Sequence, residues 1–241
     1  MPGLYVYGVV TAGAPRPDRL PGAVGDHPAD TLSWIGADDL PVAAVTSPAP
    51  DDLRGKRRDL LAHQQVLERL AEAGPVLPMR FGMVAADEPA LLASLRAEAD
   101  RYGRLLTELA DRVEFNLKAT PDEDHFVASA ARDPAVQAAL RTTRRGASAD
   151  RQLQLGEAVA NAVADRRKRV ADQLLARLDP LTDRSATLTA GEQYLLNAAF
   201  LIERSRVGPF TDRVAELREQ LFPAVDLVLT GPLPAYSFVG D

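Results

Sequence analysis

Across the second half of the 241-residue chain, the hydrophobic pattern switches from the period of a strand to that of a helix and back, twice. Val113, Phe115 and Leu117 alternate with Glu114, Asn116 and Lys118, the signature of a half-buried strand. A polar, helix-forming stretch runs from about Pro121 to Arg145. A long helix is predicted over roughly Ser148 to Leu178, with Leu155, Val159, Val163, Val170, Leu174 and Leu178 on one face, and Asp179-Pro180 stops it. Ser185 to Leu188 and Tyr194 to Ile202 are the next strand candidates. The second of these is apolar almost throughout, so a buried helix fits it as well. Gly208-Pro209 opens a helix carrying Phe210, Val214, Leu217 and Leu221, and Val225 to Leu229 reads as a last strand. The order β-α-β-β-α-β is that of a ferredoxin-like unit, an antiparallel sheet with helices on one face.

The first half is also a mixture of helix and strand, in a less regular order. Leu4 to Val10 is a β-rich run that ends in a Gly/Pro-rich irregular segment over residues 11 to 30. Leu32 to Ile35 and Leu40 to Val45 read as short strands joined by a hairpin turn at Gly36-Ala37-Asp38-Asp39. Leu53, Leu60 and Leu67 recur every seven residues, widened by Leu61 and Leu70, and predict an amphipathic helix ended by Gly74-Pro75. Val76 to Phe81 is extended. Asp87-Glu88-Pro89 then caps a helix with the stripe Leu91, Leu95, Tyr102, Leu105 and Leu109. The fold class expected is therefore α+β in two domains, residues 1–111 and residues 112–241, the second ferredoxin-like and ending in a Pro/aromatic tail.

Composition narrows the function. Hydrophobic residues make up 46% and charged residues 26%, enough apolar material for a packed core. The net charge of −6 argues against a broad nucleic-acid-binding surface. Cysteine is absent, which removes disulfides, thiolate metal sites and a cysteine nucleophile. The N-terminus lacks the basic region of a signal peptide, and no apolar run is long enough for a membrane span, so a cytoplasmic protein is expected.

Little in the sequence nominates chemistry. His27, His63 and His125 lie far apart and form no helical metal pair. His27 reads as part of a solvated turn and His63 as a surface residue beside Gln64 and Gln65. No phosphate loop, dinucleotide fingerprint or serine elbow is present. Asp38-Asp39, Asp51-Asp52 and Asp122-Glu123-Asp124 fall at turns or helix starts, where capping explains them. Arg166 to Arg169 reads as a solvated helix face, with Asp165 and Arg169 spaced as an i,i+4 ion pair. No catalytic residue, metal ligand or cofactor is assigned.

Two segments differ from ordinary core. In Leu77-Pro78-Met79-Arg80-Phe81-Gly82, Pro78 cannot donate to a ladder, which marks an edge or irregular strand. Arg80 between Met79 and Phe81 needs a carboxylate or a route to solvent. In Gly231-Pro232-Leu233-Pro234-Ala235-Tyr236-Ser237-Phe238, the prolines favour an extended backbone that points Tyr236 and Phe238 the same way. Such aromatics either anchor a partner or pin the tail to its own domain.

These segments, with Leu4-Tyr5-Val6-Tyr7-Gly8 at the start, resemble the gas vesicle protein L/F family. Its members carry a Tyr-x-Tyr-Gly start, a Leu-Pro-x-Arg-Phe-Gly core and a Gly-Pro-Trp-Pro-Pro-Tyr-Ser-Phe tail. The core motif is complete here from Leu77 to Gly82, with Met83 where threonine is frequent. The tail has Leu233 for the tryptophan and Ala235 for the second proline. The resemblance implies a non-enzymatic accessory protein in gas vesicle formation, with no cofactor. Its implied partners are the hydrophobic major shell subunit and other accessory proteins, with possible retention on the vesicle. Partner binding is then expected at Leu77, Pro78, Met79, Arg80, Phe81 and Gly82, and at Pro232, Pro234, Tyr236 and Phe238. A small-molecule-binding regulatory module and an enzyme are the competing readings, the former because ferredoxin-like sheets host many functions.

Overall fold

The computed structural model describes residues 3–53, 55–143, 148–189, 191 and 193–240. The chain divides into two compact units. One comprises residues 1–114 together with 232–241; the other comprises residues 115–231. The C-terminal tail thus belongs to the first unit, whereas the sequence reading assigned it to the second.

The first unit opens with β1 (Leu4–Thr11), followed by β2 (Ser33–Ile35) and β3 (Val42–Pro48). The helix α1 (Arg57–Ala73) leads to β4 (Val76–Pro78) and β5 (Val84–Ala85), and α2 (Glu88–Glu108) closes the series. The sheet runs β2-β3-β1-β4, and β5 also pairs with β1. β1 is antiparallel to β3, with a bulge between Val6 and Gly8 that leaves Tyr7 as the extra residue. Tyr5, Tyr7 and Val10 enter one core with Val66, Leu67 and Leu70 of α1. Val6 and Val9 are buried as well, so both faces of β1 are covered. Helix α2 packs on β1, β3 and β4 through its own buried leucines, Leu91, Leu95 and Leu106. It is capped by Asp87, which accepts the Ala90 N–H at 2.8 Å, with Pro89 in the first turn.

The predicted leucine heptad is not the buried stripe of α1. Leu60 and Leu61 are exposed, and Leu53 precedes the helix. The face that turns inward carries Asp59, His63, Val66, Leu67 and Leu70. Two polar residues occupy that stripe because hydrogen-bond partners on neighbouring segments satisfy them, which periodicity of apolar residues does not reveal.

The second unit takes in most of β6 (Arg112–Pro121), then α3 (Glu123–Ala130), α4 (Pro134–Thr142) and α5 (Ala149–Leu178). β7 (Arg184–Thr187) and β8 (Leu196–Glu203) form an antiparallel hairpin. After α6 (Val207–Leu221) the chain enters β9 (Val225–Leu233). The strand order β7-β8-β6-β9 interleaves β6 between β8 and β9. That is the order a split β-α-β unit produces, with helices in the connections before β7 and before β9. The ambiguous run at Tyr194 to Ile202 is strand from Leu196 onward, with sheet neighbours on both sides. Phe115, Phe200 and Phe210 pack ring to ring in this core. Arg167 pairs with Glu123 and Lys168 with Asp172, while Arg166 lies over the Phe126 ring. Among the described residues, the expected Asp165–Arg169 pair does not form.

Candidate functional site

The Leu77–Gly82 motif forms an interrupted edge strand. β4 pairs with β1 through Gly8↔Pro78, Val9↔Leu77 and Val10↔Val76. β5 resumes the pairing at Tyr5↔Val84 and Leu4↔Ala85. Between them, the Met79 N–H still donates to the Tyr7 carbonyl at 2.8 Å and the Val6 N–H donates to the Met83 carbonyl at 2.9 Å. Met79 and Met83 therefore sit opposite adjacent residues of β1, and Arg80-Phe81-Gly82 is pushed out as a bulge. The bulge is closed by the Met83 N–H donating to the Arg80 carbonyl at 3.2 Å. Bonding positions alternate along an antiparallel ladder, so Pro78 falls where β1 requires no donor. Its ring removes an N–H from the open edge, which discourages strand addition there.

Two glycines fit this geometry. Gly8 lies where β1 and β4 close together; a Cβ there would meet the Leu77 carbonyl oxygen at 2.8 Å and a Val76 methyl at 2.9 Å. Gly82 turns the bulge at a φ of +92°, in the left-handed region that other residues enter at a cost.

A buried polar relay holds the bulge from beneath. His63 is only 4% exposed, contrary to its reading as a surface residue. One of its ring nitrogens, Nε2, lies 3.1 Å from the Met79 carbonyl and must donate, because a carbonyl only accepts. The other, Nδ1, then accepts the Tyr5 hydroxyl at 2.9 Å. The Tyr5 oxygen in turn accepts the Gly82 N–H at 3.3 Å. Both ends of the Arg80–Gly82 excursion are thus tied to one imidazole. The ring stacks on Tyr7 at 5.6 Å and meets Tyr5 and Phe81 edge-on. Burial holds the His63 pKa below its ordinary 6.5, opposed by the Met79 bond, so the neutral relay form is favoured. Burial also raises the Tyr5 and Tyr7 hydroxyls, which remain protonated donors. Tyr7 contributes a second tie: its oxygen accepts the Val24 N–H at 2.8 Å and lies 3.1 Å from Ser47 Oγ.

The ten residues expected to bind a partner divide sharply. Leu77, Pro78, Pro234 and Phe238 are buried; Met79, Phe81 and Tyr236 are half-buried; Arg80, Gly82 and Pro232 are exposed. Phe81 packs on the core that holds Tyr5 and Tyr7, and so does Tyr236. The two segments therefore meet on one aromatic cluster. The tail is not extended to its end: residues 236–238 form a single 3-10 turn, so Tyr236 and Phe238 do not share a face in the way i and i+2 residues of a strand do. The turn is fastened by Glu114, which is 1% exposed and accepts the Ser237 N–H at 2.7 Å and the Ser237 hydroxyl at 2.8 Å. Arg101 donates to the Val239 carbonyl at 3.0 Å. Most of both motifs is scaffold, and the scaffold presents Arg80.

Among the described residues, the Arg80 guanidinium has no hydrogen bond and no ion pair. Of the carboxylate and the route to solvent, the side chain takes the second: Arg80 is exposed, and no carboxylate among the described residues pairs with it. Beside it, Met83 and Val84 are 46% and 42% exposed. His63, Tyr5 and Glu114 are the contributors that sequence reading missed. The available signal was the i,i+4 spacing of Asp59 and His63 ahead of Val66, Leu67 and Leu70. Among the described residues no cluster of His, Asp or Glu could hold a metal ion. An open groove of about 510 Å³ beside the N-terminus of α1 is lined in part by His27, Arg58 and Asp59. Arg58 is engaged there by both carboxylates, lying 3.1 Å from Asp26 and 3.4 Å from Asp59.

The fold and this site define an α+β protein built on two antiparallel sheets, one of which displays a pinned surface loop. The model of the gas vesicle synthesis protein GvpL/GvpF family matches residues 3–240. Gas vesicle protein F of a Streptomyces species is 37% identical, covering 98% of each chain. Gas vesicle protein F of Dolichospermum flosaquae is 26% identical over 91% of this chain and 89% of its own. Gas vesicle protein L of the Streptomyces species is 29% identical over 74% of this chain and 68% of its own. The crystal structure of GvpF from Microcystis aeruginosa superposes with a TM-score of 0.82 at 20% identity, covering all of both chains. This chain belongs to the GvpL/GvpF gas vesicle family, and its role concerns gas vesicles. Among the described residues, no helix is long and apolar enough to cross a membrane.

Proposed function

We propose that the chain is a non-enzymatic, cytoplasmic assembly factor of the gas vesicle that binds the hydrophobic major shell subunit before or during its incorporation. One observation carries the reading. The bulge at residues 79–83 is fixed by main-chain and buried side-chain hydrogen bonds, yet it leaves Arg80 without a partner among the described residues, close in sequence to exposed Met83 and Val84. A loop with no partner to meet gains nothing from such fixation, whereas a binding loop gains affinity because its ordering cost is met on folding. A subunit that is insoluble until assembled needs its apolar surface covered, and the apolar flank of the bulge is suited to that. Between the two Streptomyces proteins, identity and coverage are greater toward protein F than toward protein L, which supports an F-like role.

Co-expression of the tagged chain with the shell subunit, in a host lacking other vesicle genes, tests the proposal. A soluble complex on affinity capture is expected. Capture of folded chain alone, from cells in which the shell subunit is produced, would contradict it.

A further inference from the structure

We infer that His63, outside all three family motifs, is the positioning residue for Arg80, and that the bulge it aims is a receptor for a carboxylate set among apolar side chains. The inference rests on the binding role proposed above. It also goes beyond it, because it names the chemistry of the partner and the mode of contact.

Three features converge. The edge is unsuited to strand addition: Pro78 offers no outward N–H, β4 and β5 are three and two residues long, and the bulge separates them. Recognition at this edge must therefore run through side chains. The side chains offered are a free guanidinium at the crest, with Met83 and Val84 at its flank and Phe81 half-buried beneath. A guanidinium is matched by a carboxylate, through parallel N–H···O bonds that a lysine cannot reproduce. Apolar neighbours at its flank exclude water from such a pair and strengthen it relative to one in open solvent.

The mounting is the third feature. An exposed arginine on a free loop loses its gain to the ordering of the loop. Here both carbonyl and amide groups flanking Arg80 are claimed. The Met79 carbonyl is held by His63 Nε2–H, and the Gly82 N–H is held by Tyr5, whose own proton goes to His63 Nδ1. The imidazole is the one group in this relay with a donor on one side and an acceptor on the other, so it serves both anchors at once. Phenylalanine would fill the space and keep the stacking on Tyr7 but would drop the Met79 anchor and leave the Tyr5 hydroxyl, which holds Gly82, without its own acceptor. Glutamine would place an N–H near the Nε2 position and restore the Met79 tie alone.

The test uses the full chain and two readouts. Backbone amide exchange is measured at Gly82 and Met83 in the native protein, His63→Phe, His63→Gln and Tyr5→Phe. Capture of co-expressed shell subunit is measured for the same set and for Arg80→Lys and Arg80→Glu. Tyr5→Phe removes a single oxygen and keeps the claim testable should His63→Phe fail to fold. The expected result is faster exchange in His63→Phe and Tyr5→Phe, by on the order of tenfold. Their capture should fall by about tenfold, with partial rescue in His63→Gln. Arg80→Lys should lose part of the capture and Arg80→Glu nearly all of it. Faster exchange with undiminished capture would overturn the positioning role. Equal capture by Arg80→Glu would overturn the carboxylate receptor. Native protein that captures nothing while its exchange pattern follows the expected order would overturn the binding reading on which both depend, and leave the latch as a purely structural device.

Discussion

The two sheets solve the problem of a core with different materials. In the second unit the interior is hydrocarbon: Phe115, Phe200 and Phe210 in ring contact, with Leu117, Leu174 and Leu178 fully buried. In the first unit the interior carries Tyr5, Tyr7, His63, Ser47 and Asp59, all buried. Their hydrogen bonds reach outward to main-chain groups of loops: Val24, Gly25, Met79 and Gly82. Apolar packing is tolerant and non-directional, and it gives a stable unit without dictating the path of a loop. A satisfied polar network is demanding and directional, and it fixes the loops that touch it. The difference is the basis on which we propose the surface of the first unit as the binding surface.

The contrast can be broken by substitution. The largest effect is expected in the hydrocarbon core, where Phe210→Ala should cost roughly 3–5 kcal/mol in denaturant unfolding. Gly8→Ala should follow at about 1–3 kcal/mol, because the new methyl meets the Leu77 carbonyl oxygen at 2.8 Å. Tyr7→Phe should cost about 1–3 kcal/mol although it deletes one atom, because the Val24 N–H is left buried without its acceptor. If Tyr7→Phe proves neutral, the polar core has no directional role and the comparison fails.

Acid sharpens the same contrast at smaller amplitude. The folded-state pKa of His63 lies below 6.5 because burial disfavours the cation. The stabilisation it reports is complete above the unfolded value near 6.5, and it declines as the pH falls from there toward the folded value. Unfolding curves between pH 7.5 and 5 should show that decline, and His63→Phe should lose this component. The smallest effect is expected at Arg80. Arg80→Ala should leave stability within about 0.5 kcal/mol of native, because the side chain is exposed and has no partner among the described residues. A larger loss would mean that the arginine serves the fold, not a partner.

Reading the sequence recovered what depends on local periodicity. The alternation at Val113 to Lys118, the long helix ending at Asp179-Pro180, and the Gly208-Pro209 helix start are all present as elements. The edge position of the Pro78 strand also followed from one residue's missing N–H. What escaped was set by partners distant in sequence. Periodicity weighs leucines, so it joined Leu67 to Leu53 and Leu60 and passed over Asp59 and His63, which share the buried stripe with Leu67. The donor and acceptor that make His63 tolerable inside lie 58 and 16 residues away. The tail was assigned to the second domain by adjacency in the chain. Glu114 fastens Ser237 across 123 residues, and no local pattern announces that contact. The motif residues were legible as a set, but which of them face solvent was not: Leu77 and Arg80 look equally distinctive in sequence, and one is buried while the other is exposed.

Exposed apolar side chains are not confined to the first unit; Phe222, beyond α6, is 75% exposed. This makes the most direct test a comparison of two positions. A photo-crosslinking residue is placed at Met83 in one protein and at Phe222 in another, and each is irradiated in cells that make the shell subunit. The account predicts a crosslink to the shell subunit from position 83, lost when Arg80→Glu is added, and none from position 222. Crosslinking from position 222 with none from position 83 would contradict it and move the binding surface to the second unit.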